Sequence, residues 1–239
     1  LVALIGSSFD GEDQSGGPTE IFDLARASEI DGYVILSGAL GNFSGPEPLE
    51  ALLARLPKRP VVSLGMPLTG ASALLSEGGG MDSIARHLIE THGLRRMAYI
   101  SGPASNADAC RRWEEWIRTQ AEYDISQDPD LVDAGDFMPD SGRLAAERIL
   151  DRTDPPEAFV CANDAMALGA RQALAARGLK IPQDILLTGY DDTEAAATCS
   201  PALTSIRPGT YEMAFHAVEM LLELKNGGAP RTETAGTQL

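Results

Sequence analysis

Basic residues and cysteines are scarce in this chain, and each scarcity closes a class of function. Nineteen lysines and arginines stand against 35 aspartates and glutamates in 239 residues, a net charge of −16. That balance repels a phosphate backbone or an anionic lipid surface, so any DNA contact is expected through a domain outside this chain, and no membrane contact is expected. The three cysteines, Cys110, Cys161 and Cys199, form an odd set without metal-ligand spacing and read as reduced thiols of a cytoplasmic protein. Cys161 lies inside an apolar run and reads as a small hydrophobe. No apolar run approaches the roughly 18 to 20 residues of a membrane-spanning helix, and no signal-peptide pattern opens the chain.

The motifs of several chemistries are missing as well. There is no GxSxG nucleophile elbow and no GxGxxG, and the glycines Gly78 to Gly80 are not followed by the Gly-Lys-Ser/Thr of a phosphate loop. His87 and His92 are five apart rather than the i, i+4 pair of a zinc helix, and His216 is remote, so all three read as surface or helix-end residues. Asp191 and Asp192 are adjacent at a strand end, where side chains point apart, and no histidine or further acid accompanies them at ligand spacing. No catalytic residue, metal ligand or cofactor is therefore expected, and the chain reads as a binding protein rather than an enzyme.

What is present is an alternation of strands and helices. Strand candidates are Val2–Ile5, Tyr33–Leu36, Val61–Leu64, Met97–Ile100, Ala158–Cys161 and Ile185–Thr188, with a short strand over Leu131–Asp136. Helical periodicity between them implies a parallel sheet. Met81, Ile84, Ala85, Leu88 and Ile89 share one helix face ending at His92-Gly93. Leu49, Leu52, Leu53 and Leu56 share another, stopped by Pro57. A third helix starts with Asp164 as its expected N-cap and stops at Gly178. The 44% hydrophobic content suffices for one large core or two smaller ones.

The densest signal is the run from Cys161 to Ile206. Two apolar strands there end in polar residues, Asn163 and Asp164 after one, Asp191 and Asp192 after the other, delivering hydrogen-bonding groups to one edge of the sheet. Ligands of open α/β folds bind at that edge. The strand ending AND, the helix MALGARQAL, the step GLKIPQDI, the strand end GYDDTE and the turn SPALTSIRP together resemble the ligand-binding core of the lactose-repressor (LacI/GalR) family. The resemblance runs from about Ile21 to the end of the chain.

That resemblance implies an α/β fold of two Rossmann-like lobes, parallel sheets flanked by helices, of the periplasmic-binding-protein type I. One lobe would comprise residues 1–78 plus 207–237 and the other 79–206 plus 238–239, with crossings near Glu77–Gly80, Ser205–Gly209 and Gln238. Too few residues precede the strand at Tyr33 for the two strand–helix units of the family, so the natural protein is expected to extend N-terminally. The resemblance also implies a small polar effector, a sugar, held between the lobes by Arg112, Asn163 and Asp191. A sugar's vicinal hydroxyls suit a guanidinium, an amide and a carboxylate.

The residues alone leave blander roles open: Asn163 shaping the turn, Asp191 capping the next helix, Arg112 as a solvated helix charge. Phe137 stands where the family places an aromatic against a sugar face, core packing being an equal alternative. Ser76, near the first crossing, completes the candidate set. Glu115 occupies a position where many relatives have glycine, and Trp113 and Trp116 read as packing residues. The function implied is the effector-sensing, dimerising core of a transcriptional regulator whose DNA reader lies outside the chain. A sugar-binding protein of a transporter, or a sensor fused to a kinase or cyclase, are the alternatives.

Overall fold

Ala158-Phe159-Val160-Cys161 is apolar at every position, and in the structure all four residues are fully buried. A strand covered on both faces is the mark of a parallel sheet layered by helices. The structure is a computed structural model that describes residues 25, 30–41, 45–76 and 80–238. The strand expected at Val2–Ile5 and most of the first expected crossing lie outside the described residues.

The strands are β1 (Tyr33–Ile35), β2 (Val61–Leu64), β3 (Ser72–Ser76), β4 (Met97–Ser101), β5 (Val132–Ala134), β6 (Ala158–Cys161), β7 (Leu186–Tyr190), β8 (Thr204–Pro208), β9 (Thr232–Ala235) and β10 (Thr237–Gln238). The α-helices are α1 (Ser37–Leu40), α2 (Glu47–Arg55), α3 (Gly80–Arg86), α4 (Ala107–Glu122), α5 (Pro139–Arg152), α6 (Asp164–Ala176), α7 (Glu194–Thr198) and α8 (Thr210–Lys225). A π-helical turn, His87–Thr91, continues α3. Chain packing separates two units, residues 1–77 with 105–108 and 209–235, and residues 78–104 with 109–208 and 236–239.

The first unit carries a sheet in the order β1-β2-β3-β9, parallel at every pairing. Its apolar residues form two clusters. Val62, Leu64 and Leu74 pack with Ala217 and Met220 of α8, and Leu49 of α2 packs with Met66 and Leu68. Leu49 and Leu52 are buried as their spacing predicts, and the helix ends at Arg55, two residues before Pro57. Two buried hydroxyls are satisfied by each other and by backbone: Ser63 donates to Ser37, and Ser37 to the Leu64 carbonyl at 2.8 Å. β3 was not legible in the sequence, since Ser-Ala-Leu-Leu-Ser lacks the β-branched residues that mark a strand, and β9, Thr-Glu-Thr-Ala, lacks a large apolar residue.

The second unit carries the order β10-β8-β7-β6-β4-β5, parallel except for the antiparallel edge strand β10. Met81, Ile84, Leu88 and Ile89 of the α3 segment, with Trp116 of α4, Ile149 of α5 and Leu174 of α6, share one core with β4, β6 and β7. Trp116 is stacked on Tyr99 with ring centroids 5.4 Å apart, and Trp113 lies 5.2 Å from the same ring, so both tryptophans pack. β7 ends at Tyr190, directly before Asp191, and Gly189 and Tyr190 pair with β8.

Helices α5 and α6 meet backbone to backbone. A Cβ on Gly142 would lie 2.2 Å from the Met166 carbonyl oxygen, and one on Gly169 would lie 1.8 Å from the Pro139 carbonyl oxygen. Only glycine allows that approach. The N-cap of α6 is Asn163, whose side chain accepts from the Met166 N–H, not Asp164 as expected. Asp164 is the first helical residue and is turned inward, fully buried.

Candidate functional site

β4, β6 and β7 run parallel, so their C-terminal ends open at one edge of the second unit's sheet. From β4 the chain passes outward to β5 on one side, while β6, β7 and β8 lie on the other. The strand order therefore reverses between β4 and β6, the place where such sheets bind ligands. Arg112 comes from α4, the helix after β4, Asn163 from the turn after β6 and Asp191 from the turn after β7.

Arg112 is held on three sides. Its guanidinium carbon sits 3.6 Å from the centroid of the Tyr190 ring. One terminal nitrogen donates to the Ala162 carbonyl, and the other lies 3.7 Å from an Asp191 carboxylate oxygen. The Arg112 side chain is only 15% exposed, against 36% for Asp191, so it is largely withdrawn from solvent rather than a solvated helix charge. Cation–π contact and the charge-assisted bond fix the plane of the guanidinium. Tyr190 was not singled out in the sequence. Its signal is position alone, the last residue of β7 beside Asp191.

Asn163 uses both ends of its amide within the protein. Its oxygen caps α6, and its nitrogen donates to the Phe137 carbonyl at 3.0 Å. Phe137 holds a left-handed backbone, φ 70°, uncommon for a bulky residue. Its ring is half-buried against the core and lies over Gly102, where a Cβ would come within 2.4 Å of it. Asn163 thus fixes the backbone that presents Phe137.

Asp191 and Asp192 also have positive φ, 114° and 49°. The turn is pinned by its backbone: the Asp191 N–H donates to Ile206 at 2.8 Å and the Asp192 N–H to the Ser205 hydroxyl at 3.0 Å. The two carboxylates diverge, Asp191 toward Arg112 and Asp192 onto Arg207. The cap of α7 is Thr193 rather than Asp191. Beneath the turn lies Asp164, which accepts from the Thr193 N–H at 2.8 Å, the Thr193 hydroxyl at 3.0 Å and the Ser205 hydroxyl at 2.6 Å. This hub was missed in the sequence because Asp164 reads equally well as a cap.

Arg112, Asn163, Asp191 and Phe137 thus belong to the second unit, whereas Ser76 ends β3 in the first. Glu115 is buried on α4 and accepts the Met81 N–H at the start of α3. Cys161 is wholly buried, and burial pushes its thiol far above the ordinary range, which keeps it from acting as a nucleophile. Among the described residues no three histidines, cysteines or acids are grouped to hold a metal, and no helix is long and apolar enough to cross a membrane.

Comparison with known proteins identifies the fold and family. The model of the periplasmic binding protein-like domain matches residues 85–238. The HTH-type transcriptional repressor PurR of Aliivibrio salmonicida is 33% identical over 207 residues, 84% of this chain and 59% of that protein. The HTH-type transcriptional repressor CytR of Escherichia coli K12 is 33% identical over 231 residues, 95% of this chain and 64% of that one. The chain therefore spans less than two thirds of these relatives. Among solved structures, the complex of the transcriptional regulator CelR with cellobiose superposes with a TM-score of 0.79 at 29% identity, covering 92% of this chain and 67% of that one. A LacI-family regulatory protein from Chloroflexus aggregans gives 0.78 at 25% identity, with 92% and 79% covered. The chain belongs to the periplasmic binding protein-like domain family, in the form that LacI-family transcriptional regulators carry as their effector-binding core.

Proposed function

We propose that this chain senses a small polar effector, a saccharide, at the strand-end edge of its second unit and reports it to a DNA-binding domain outside the chain. The observation that carries the reading is the Arg112 guanidinium, clamped between the Tyr190 ring and the Asp191 carboxylate at the switch point of a parallel sheet. A fixed planar donor beside a half-exposed acceptor suits vicinal hydroxyls, which donate and accept at once. Phe137 offers an apolar ring for a sugar face and Asn163 sets its backbone. The likeness to the complex of CelR with cellobiose supports a saccharide class. The working form in this reading is a cytoplasmic homodimer, without catalytic turnover. The net charge of −16 supports leaving operator contact to another domain.

Thermal shift and calorimetry against cellobiose, other saccharides, sugar phosphates and nucleosides test the reading. A saccharide at a hundred times its Kd should add about 2.7 kcal/mol of stability, and Arg112→Ala and Asp191→Ala should both abolish the gain. Saccharide binding that survives both substitutions would remove this edge as the site. A response confined to nucleosides would replace the ligand class and keep the site.

A further inference from the structure

His87 and His92 are spaced wrongly for an α-helix, where residues five apart diverge. The structure changes that arithmetic, because His87–Thr91 is a π-helical turn with His92 as its C-cap. A π-helix is bonded i→i+5 and carries more residues in each turn than an α-helix, so residues five apart lie closer in direction than they would on an α-helix. The two Nε2 atoms accordingly converge to 3.3 Å, on rings steeply inclined to each other at 86° with centroids 4.9 Å apart. The rings do not stack; they meet edge to face through their Nε2 atoms.

That separation has a chemical meaning. Zinc–imidazole bonds are about 2.0–2.1 Å long, and two of them at a tetrahedral angle span about 3.3–3.4 Å. We propose that His87 and His92 form a two-imidazole clasp for a divalent transition-metal ion, with zinc the ion the geometry matches best. Both rings would coordinate as neutral imidazoles with the proton on Nδ1, and water would fill the remaining positions. The pair lies at the solvent-exposed end of the α3 segment, before Gly93, whose φ of 70° ends the turn. The acidic chain attracts cations to its surface. Binding would clip the π turn closed across its own face.

The test exploits a small census: the chain has three histidines, and His216 serves as the internal control. The full chain, at a pH above the imidazole range, is titrated with zinc chloride and followed by calorimetry and by nitrogen-edited NMR of the imidazoles. The expected result is one site, joint displacement of the His87 and His92 ring signals with His216 unmoved, and reversal by EDTA. His87→Ala and His92→Ala should each weaken binding by about tenfold or more. The proposal is overturned if zinc up to millimolar leaves the His87 and His92 signals unmoved, if all three rings respond alike, or if the double variant binds as the wild type does. The first outcome would leave the 3.3 Å contact as an imidazole–imidazole hydrogen bond. The NMR arm needs no variant, so it reads even if a substitution unfolds the turn.

Discussion

The Ser205 hydroxyl donates to the fully buried Asp164 carboxylate at 2.6 Å, joining β8 to the first residue of α6. Ser205 also accepts the Asp192 N–H, so the carboxylate, the hydroxyl and the strained turn form one relay.

Asp164→Ala would remove the acceptor of three hydrogen bonds, from the two donors of Thr193 and that of Ser205. At roughly 1 kcal/mol each, the expected loss is ~3 kcal/mol, or roughly 6–12 °C in Tm for a chain of this size. Ser205→Ala should lose about 1 kcal/mol. Urea unfolding of both variants checks the values, and an unchanged midpoint for Asp164→Ala would show that the relay contributes nothing.

Arg112→Lys keeps the charge and discards the plane. A lysine cannot lie flat on Tyr190 while also reaching the Ala162 carbonyl and Asp191. We expect effector affinity to fall about tenfold or more while stability changes by about 1 kcal/mol or less. Calorimetry paired with thermal unfolding separates the two effects.

Gly102→Ala should drive its new methyl into the Phe137 ring, 2.4 Å away. Overpacking of this kind costs about 1–3 kcal/mol. Adding Phe137→Leu should recover part of that loss, and a double-mutant cycle with zero coupling would show that the ring simply swings aside.

Asp133 links stability to acid. Burial alone would raise its carboxyl, but the Arg148 side chain, hydrogen-bonded at 2.7 and 3.0 Å, the Ala134 N–H and the Arg152 charge hold it below the ordinary value. A folded-state value below the unfolded one contributes stability above the unfolded pKa, about 3.9, and loses it as pH falls through the folded value. Asp133→Asn should therefore be less stable than the wild type at neutral pH, with the gap closing below about pH 4. Denaturant midpoints across that range, if parallel for the two proteins, would exclude Asp133 as a source of acid sensitivity.

The second unit was more legible than the first. β6 was readable because Ala158 to Cys161 is a short apolar run with polar residues at its end, and α3 because Met81 to Ile89 repeat on one face. The π turn was not readable, since the apolar pattern through Leu88 and Ile89 suits an α-helix equally. β3 escaped because Ser-Ala-Leu-Leu-Ser has no β-branched residue to mark it, although it is paired along both edges. At the candidate site the charged residues stood out from their position at strand ends. The parts that hold them did not: Tyr190 looks like ordinary strand content, and Asp164 acts through Ser205, 41 residues away in sequence.

The glycine contacts between α5 and α6 lock two helices whose leading residues belong to the proposed site. Phe137 stands just before α5 and Asn163 just before α6, bonded to each other across the gap. With Gly142 and Gly169 letting the two backbones touch, the helices cannot slide independently, and the pair behaves as a single jaw with Phe137 and Asn163 at its tip. A larger residue at either glycine would reopen the angle of that jaw, so in the proposed reading the breadth of ligand accepted at the strand ends would be set in part by two residues that need never touch the ligand.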